Sequence, residues 1–93
     1  MTDFSMALVL PNDLLTYYQG KPLVLKDCYW YDGPITLQAL PYGGIQSVFH
    51  YHLIIYTKNG FLACDCVEYD GITMSSKEFI ERHPNLVNQV LPN

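Results

Sequence analysis

IQSVFHYHLIIYTKNGFLACDCVEYDG, residues 45–71, decides the fold. Two runs rich in β-branched and aromatic residues, Ile45 to Thr57 and Phe61 to Tyr69, flank Lys58-Asn59-Gly60, and that arrangement marks a β-hairpin. If Asn59-Gly60 forms a two-residue turn, Thr57 lies opposite Leu62. Even-numbered residues of the first strand then share a face with odd-numbered residues of the second. One face carries Phe49, Tyr51, Leu53, Ile55, Leu62, Cys64 and Cys66, which reads as a core. The other carries His50, His52, Ile54, Tyr56, Phe61, Asp65, Val67 and Tyr69. A three-residue loop would instead set Thr57 opposite Phe61 and His52 across from Cys66. It would also press Asp65 against Leu53 on the apolar face, where an unpaired carboxylate is costly, so the first register is preferred.

The end of this stretch has an echo upstream. Asp27-Cys28-x-x-Tyr31-Asp32-Gly33 matches Asp65-Cys66-x-x-Tyr69-Asp70-Gly71 at one constant offset. Asp-Gly ends strands for backbone reasons alone, so the repeat predicts a duplicated strand-plus-turn unit rather than a paired chemical site. If the repeat keeps its parity, Cys28 and Trp30 join the core, and Tyr29, Tyr31 and Asp27 join the opposite face.

Outside the hairpin the signals are shorter. Ser5 to Pro11 is an apolar run ended by proline, a strand or an extended arm. Asn12 as N-cap, Asp13 in the first turn and Gly20 as a terminal glycine predict a short helix from Asp13 to Gln19. Lys21 to Tyr31 reads as a strand closed by Asp32-Gly33, and Ile35 to Leu40 as another, ended by Pro41 and loosened by Gly43-Gly44. Ser75 with Glu78 three residues later is a capping box. It opens a C-terminal helix with Phe79 and Ile80 on its buried side and Pro84 as its stop. One or two more helical turns are expected within Asn85 to Leu91. The expected class is α+β: one domain over residues 1–93, a small antiparallel β-sheet of about four to five strands, and a short N-terminal and a C-terminal helix packed on one face.

Composition narrows the function classes. Of 93 residues, 49% are apolar, eight are Tyr and only 15% are charged, which describes an ordered globular chain. Five Lys plus Arg and a net charge of -4 give no electrostatic footprint for phosphates, so direct nucleic-acid binding is not expected. No apolar run reaches membrane-spanning length, and the N-terminal run is too short for a secretory segment. Three cysteines, an odd number, read as free thiols and place the protein in the cytoplasm.

Chemistry is thin. His50-x-His52 beside Cys64-x-Cys66 supplies the residue types of a tetrahedral zinc site. In the preferred register the two pairs face opposite sides of the sheet and cannot share an ion, so neither metal nor cofactor is expected. A Gly-rich phosphate loop, G-x-S-x-G and H-E-x-x-H are all absent from the sequence, so an enzyme is not expected either. A diagonal His52 to Asp65 contact reads as a structural hydrogen bond. What stands out is the second face, too apolar for water and too rich in tyrosine to be incidental. Two short helices cover one side of such a sheet and leave the other. Tyr29, Tyr31, His50, His52, Tyr56, Asp65 and Tyr69 are therefore the expected interface residues. The sequence points to a small non-enzymatic cytoplasmic protein-binding module of the inhibitor, immunity or anti-defence kind, blocking a larger macromolecule or pairing with itself as a homodimer. The alternative is a His/Cys metal- or ligand-binding domain with enzymatic use.

Overall fold

The computed structural model describes Phe4 and residues 13–32, 41–48 and 52–91. The arm expected at 5–11, the strand expected at 35–40, Gly33, Phe49, His50 and Tyr51 lie outside these residues. Among the described residues the chain forms β1 (Asp13–Tyr18), β2 (Lys21–Trp30), β3 (Ile45–Val48), β4 (His52–Thr57), β5 (Gly60–Tyr69), β6 (Ile72–Ser75) and α1 (Ser76–Arg82). All strand pairings are antiparallel, in the order β1-β2-β5-β4-β3. One long strand holds the sheet together: β5 pairs with β2 along one side, while its other side pairs with β4 over Gly60 to Cys64 and with β6 over Cys66 to Tyr69.

The expected N-terminal helix is a strand. In β1, Leu14, Thr16 and Tyr18 are buried while Asp13, Leu15 and Tyr17 are exposed, a period of two that no helix can produce. Gly20 is not a helix end: Gln19 (φ 52) and Gly20 (φ 79) form the two-residue turn that sets Tyr18 opposite Lys21. Cap-like residues placed around a Thr-Tyr-Tyr run were overruled by strand propensity and a ready hairpin partner in β2. The run from Ile45 to Thr57 is likewise two strands, β3 and β4, folded on each other with Ile45 opposite Ile55.

The C-terminal helix forms as its capping box requires. The Ser75 hydroxyl accepts a hydrogen bond from the Glu78 N–H at 3.1 Å, and Phe79 and Ile80 are buried against the sheet. Among the described residues no further helix follows. Residues 83–89 make two separate turns, Leu86 N–H to His83 O at 2.9 Å and Gln89 N–H to Leu86 O at 3.1 Å. The chain then runs along the free side of β3, where Ile45 N–H donates to Gln89 O at 2.9 Å and Leu91 N–H to Gly43 O at 2.8 Å.

The core lies between the sheet and these C-terminal segments, with Phe4, Leu23, Leu25, Leu53, Phe79 and Leu91 among its members. Full burial of one such side chain contributes about 1.5–3 kcal/mol. The ion pairs Lys21 to Asp70 (3.9 Å) and Arg82 to Glu78 (2.8 Å) are solvent-exposed and worth about 0–1 kcal/mol each. Packing, not charge pairing, sustains the fold.

The hairpin that decides the fold has a register two residues away from the expected one. Its turn is Lys58-Asn59, with Thr57 opposite Gly60 and Leu53 opposite Cys64. The Thr57 side chain draws the turn tight: its hydroxyl accepts from Asn59 N–H at 3.1 Å and donates to Gly60 O at 2.9 Å, while Gly60 takes φ 124. A shift of two preserves the faces, so Leu53, Ile55, Leu62 and Cys64 enter the core as expected.

Beyond Cys64 the faces change. Cys64 and Val67 both belong to the core, so the alternation slips by one residue and both Asp65 and Cys66 fall outside it. The same happens on β2, where Leu25 belongs to the core and Cys28 packs against it. There Asp27 takes the left-handed φ of 53, and the 27/65 position is missing from an otherwise continuous ladder. Aspartate tolerates that conformation better than most residues, and a single left-handed residue turns the following side chains to the other side. Three expectations are corrected by this slip. Cys66 is outside the core, Val67 and Tyr69 are in it, and the repeat does not keep its parity: Cys28 and Cys66 face opposite sides, as do Tyr31 and Tyr69. Trp30, although opposite core residue Leu62, is 36% exposed at the end of β2.

Candidate interaction surface

The face of the sheet away from α1 is built from β2, β4 and β5. Register places Tyr29 beside Ala63 and Ala63 beside Ile54, with Tyr56 opposite Phe61 in the next row. Tyr31 follows β2 and is tied to that row by its N–H, which donates to Phe61 O at 2.8 Å. Along this face three groups converge. The Tyr29 Oη lies 3.1 Å from His52 Nδ1 and 3.3 Å from Asp65 Oδ1, and His52 Nδ1 lies 3.2 Å from the same Asp65 oxygen.

The proton count orients this cluster. A phenol has one proton to donate, and with Asp65 as its acceptor the contact at Nδ1 must be supplied by an imidazole N–H. His52 therefore presents an N–H at Nδ1 to the Tyr29 and Asp65 oxygens. Burial first, then the Asp65 charge and hydrogen bond, raise the Tyr29 phenol above its ordinary range and keep it a donor. Tyr31 closes the cluster from the side, its ring centroid 6.4 Å from that of His52.

A second aromatic group adjoins the first. The Tyr56 ring makes tilted contacts with Tyr42 at 5.2 Å and with Phe61 at 5.4 Å. Between the two groups, Ile54 and Ala63 are each 0% exposed within the single chain. The middle of the face is thus already closed, and its partly exposed side chains form two aromatic clusters.

Of the seven residues expected from sequence, five gather here: Tyr29, Tyr31, His52, Tyr56 and Asp65. His50 lies outside the described residues. Tyr69 is elsewhere: it is in the core, its hydroxyl donates to Tyr18 O at 2.9 Å, and burial pushes its phenol up. Tyr42 was not expected, since an aromatic in a Pro-Tyr-Gly-Gly loop carries no periodic signal; Phe61 was placed on this face but not among the contact residues.

The ligand set of the metal reading is dispersed. Cys64 is in the core and Cys66 is outside it, on the other side of the slip, and among the described residues no group of three or more His, Cys, Asp or Glu side chains is positioned to hold an ion. No helix among the described residues is long and apolar enough to cross a membrane. Comparison of the chain with protein-family models, with curated proteins and with solved structures returned no match.

Proposed function

We propose that the protein is a small non-enzymatic protein-binding module that works in the cytoplasm by covering a surface of a larger macromolecule, in the manner of inhibitor, immunity or anti-defence proteins. The observation that carries this reading is the convergence of Tyr29, Tyr31, His52, Tyr56 and Asp65 on the face that α1 does not cover. Tyrosines with hydrogen-bonding tips give large contact area at low entropic cost and are frequent energetic centres of interfaces. The net charge of -4 and the exposed Asp65 favour a partner with a basic rim. A second copy of the chain is the other occupant of this reading, as a homodimer.

Its test contrasts the two kinds of tyrosine. Tyr31→Ala and Tyr56→Ala are expected to weaken capture of a cellular partner, or self-association measured by light scattering over a concentration series, by about 1–4 kcal/mol. Both should lose less thermal stability than Tyr69→Ala, whose truncation in the core costs about 3–5 kcal/mol. If the outer tyrosine variants bind and associate like the parent, this face is not the interface.

A further inference from the structure

Cys28 on β2 and Cys64 on β5 are directly opposed. Their side chains share a face: Cys64, 1% exposed, is a core residue, and Cys28 packs against that core. The bond from Tyr31 N–H to Phe61 O fixes the phase of the ladder. Positions 31 and 61 are a hydrogen-bonded pair, Tyr29 and Ala63 are the next, and Cys28 with Cys64 therefore form a non-hydrogen-bonded pair. Opposed Cα atoms in such a pair approach to about 4.5 Å, inside the window of about 4.4–6.8 Å that a disulfide spans. Cys66 is excluded from this arrangement, because the slip at Asp65 carries it to the other side of the sheet, opposite Lys26 and Ser75.

We propose that Cys28 and Cys64 are a redox-modification site, a thiol pair that closes into a cross-strand disulfide when oxidised by a small disulfide of the glutathione class. Half-buried Cys28 reacts first, since Cys64 is shielded from any oxidant in solution. The Cys28 thiol gives up its proton and attacks one sulfur of the small disulfide. That S–S bond breaks, a mixed disulfide forms, and one small thiolate leaves and takes a proton. Cys64 then loses its proton and attacks the Cys28 sulfur, and the second small thiol departs with a proton as the protein S–S bond forms. Two protein thiols are oxidised and one small disulfide is reduced to two thiols. Burial first, then the Asp13 and Asp27 carboxylates, push the Cys28 thiol up to about 11. Thiolate is scarce at neutral pH, so closure is slow there and accelerates about tenfold per pH unit toward that value.

The experiment uses the full chain, reduced, freed of reductant and incubated with oxidised glutathione near pH 8.5, then quenched with an alkylating agent. The expected product is a monomer carrying one alkylated cysteine and no glutathione, whose non-reduced digest contains a peptide joining Cys28 to Cys64. Cys66→Ser should still close, and Cys28→Ser should not. A stable glutathione adduct on Cys28 with Cys64 alkylated, or oxidation confined to dimers joined through Cys66, would overturn the proposal. Mapping the unsubstituted protein keeps the result independent of whether any variant folds.

Discussion

His83 shows how a single residue ties the fold to pH. Its imidazole packs among Tyr18, Tyr69 and Phe79, with ring centroids 5.5, 5.2 and 4.7 Å away. Burial first, then the positive charges of Arg82 and Lys21, hold it below its ordinary value of 6.5. The folded state therefore prefers neutral His83, and the unfolded chain takes up the proton first. The associated stability is fully present above pH 6.5 and is lost as pH falls through the lower folded-state value. Thermal melts of the parent and His83→Phe between about pH 7.5 and 5 isolate this term, because carboxylate titration affects both proteins alike. The parent is expected to lose ground relative to the variant as pH falls; a constant gap would show that His83 titrates alike in both states. At this scale the sequence was informative about residue type and less so about facing. His52, Tyr56 and Asp65 could be grouped from hairpin parity alone, whereas Tyr29 and Tyr31 were joined to them through a repeat parity that the structure does not keep. Tyr69 could not, because nothing in the letters around Asp27 or Asp65 announces a left-handed residue and a slip in alternation.

Among the elements, those with their own local signature were legible and those set by tertiary contacts were not. Ser75 and Glu78 write the start of α1 into the sequence, and the Ser75 hydroxyl realises it by accepting from the Glu78 N–H. The β4–β5 hairpin was readable as an element, but its turn position depended on the Thr57 hydroxyl. The β1 strand carries helix-like signals, because Asn12, Asp13 and Gly20 mimic caps, while its partner strand is named only by the fold. β6, a strand of four residues directly after the Tyr69-Asp70-Gly71 turn, is stabilised by pairing with β5 and not by any run of its own. The glycines of these connections differ in a testable way. Gly20 and Gly43 both have positive φ, 79 and 93, so Ala at either site pays about 1–2 kcal/mol for the left-handed conformation. A Cβ at Gly20 meets nothing within 4 Å, but at Gly43 it would sit 2.6 Å from the Leu91 carbonyl oxygen. Gly43→Ala should thus melt well below Gly20→Ala, since a backbone atom must move as well. Equal melting temperatures would mean that the turn at Gly43 and the C-terminal segment are not in close contact.

For the molecule as a whole, the question is how so small a sheet avoids pairing with other chains through its edges. At β3 the answer comes from the far end of the chain. Ile45 N–H donates to Gln89 O, Asn88 N–H donates to Ile45 O at 2.8 Å, Leu91 N–H donates to Gly43 O, and the Leu91 side chain is 1% exposed in the core. These contacts link residues from the two halves of the sequence, which is why no local reading could find them and why Asn85 to Leu91 was expected only to hold further helical turns. Removing residues 88–93 deletes four of the described backbone bonds, three of them to Gly43 and Ile45 and one to Leu86, worth about 0.5–1.5 kcal/mol each. It also deletes a buried leucine worth about 1.5–3 kcal/mol. Together these losses are a large part of the roughly 5–15 kcal/mol that holds a domain folded. The truncated chain should melt far below the parent and, with the β3 edge uncovered, should grow in size by light scattering as concentration rises. Leu91→Ala separates the two effects. It loses about 2–5 kcal/mol of packing but keeps the backbone bonds, so it should melt low and show no more association than the parent. If the truncated protein melts and scatters like the parent, the C-terminal segment neither caps the edge nor completes the core. If Leu91→Ala associates as strongly as the truncation, the association arises from lost stability and not from an open strand edge.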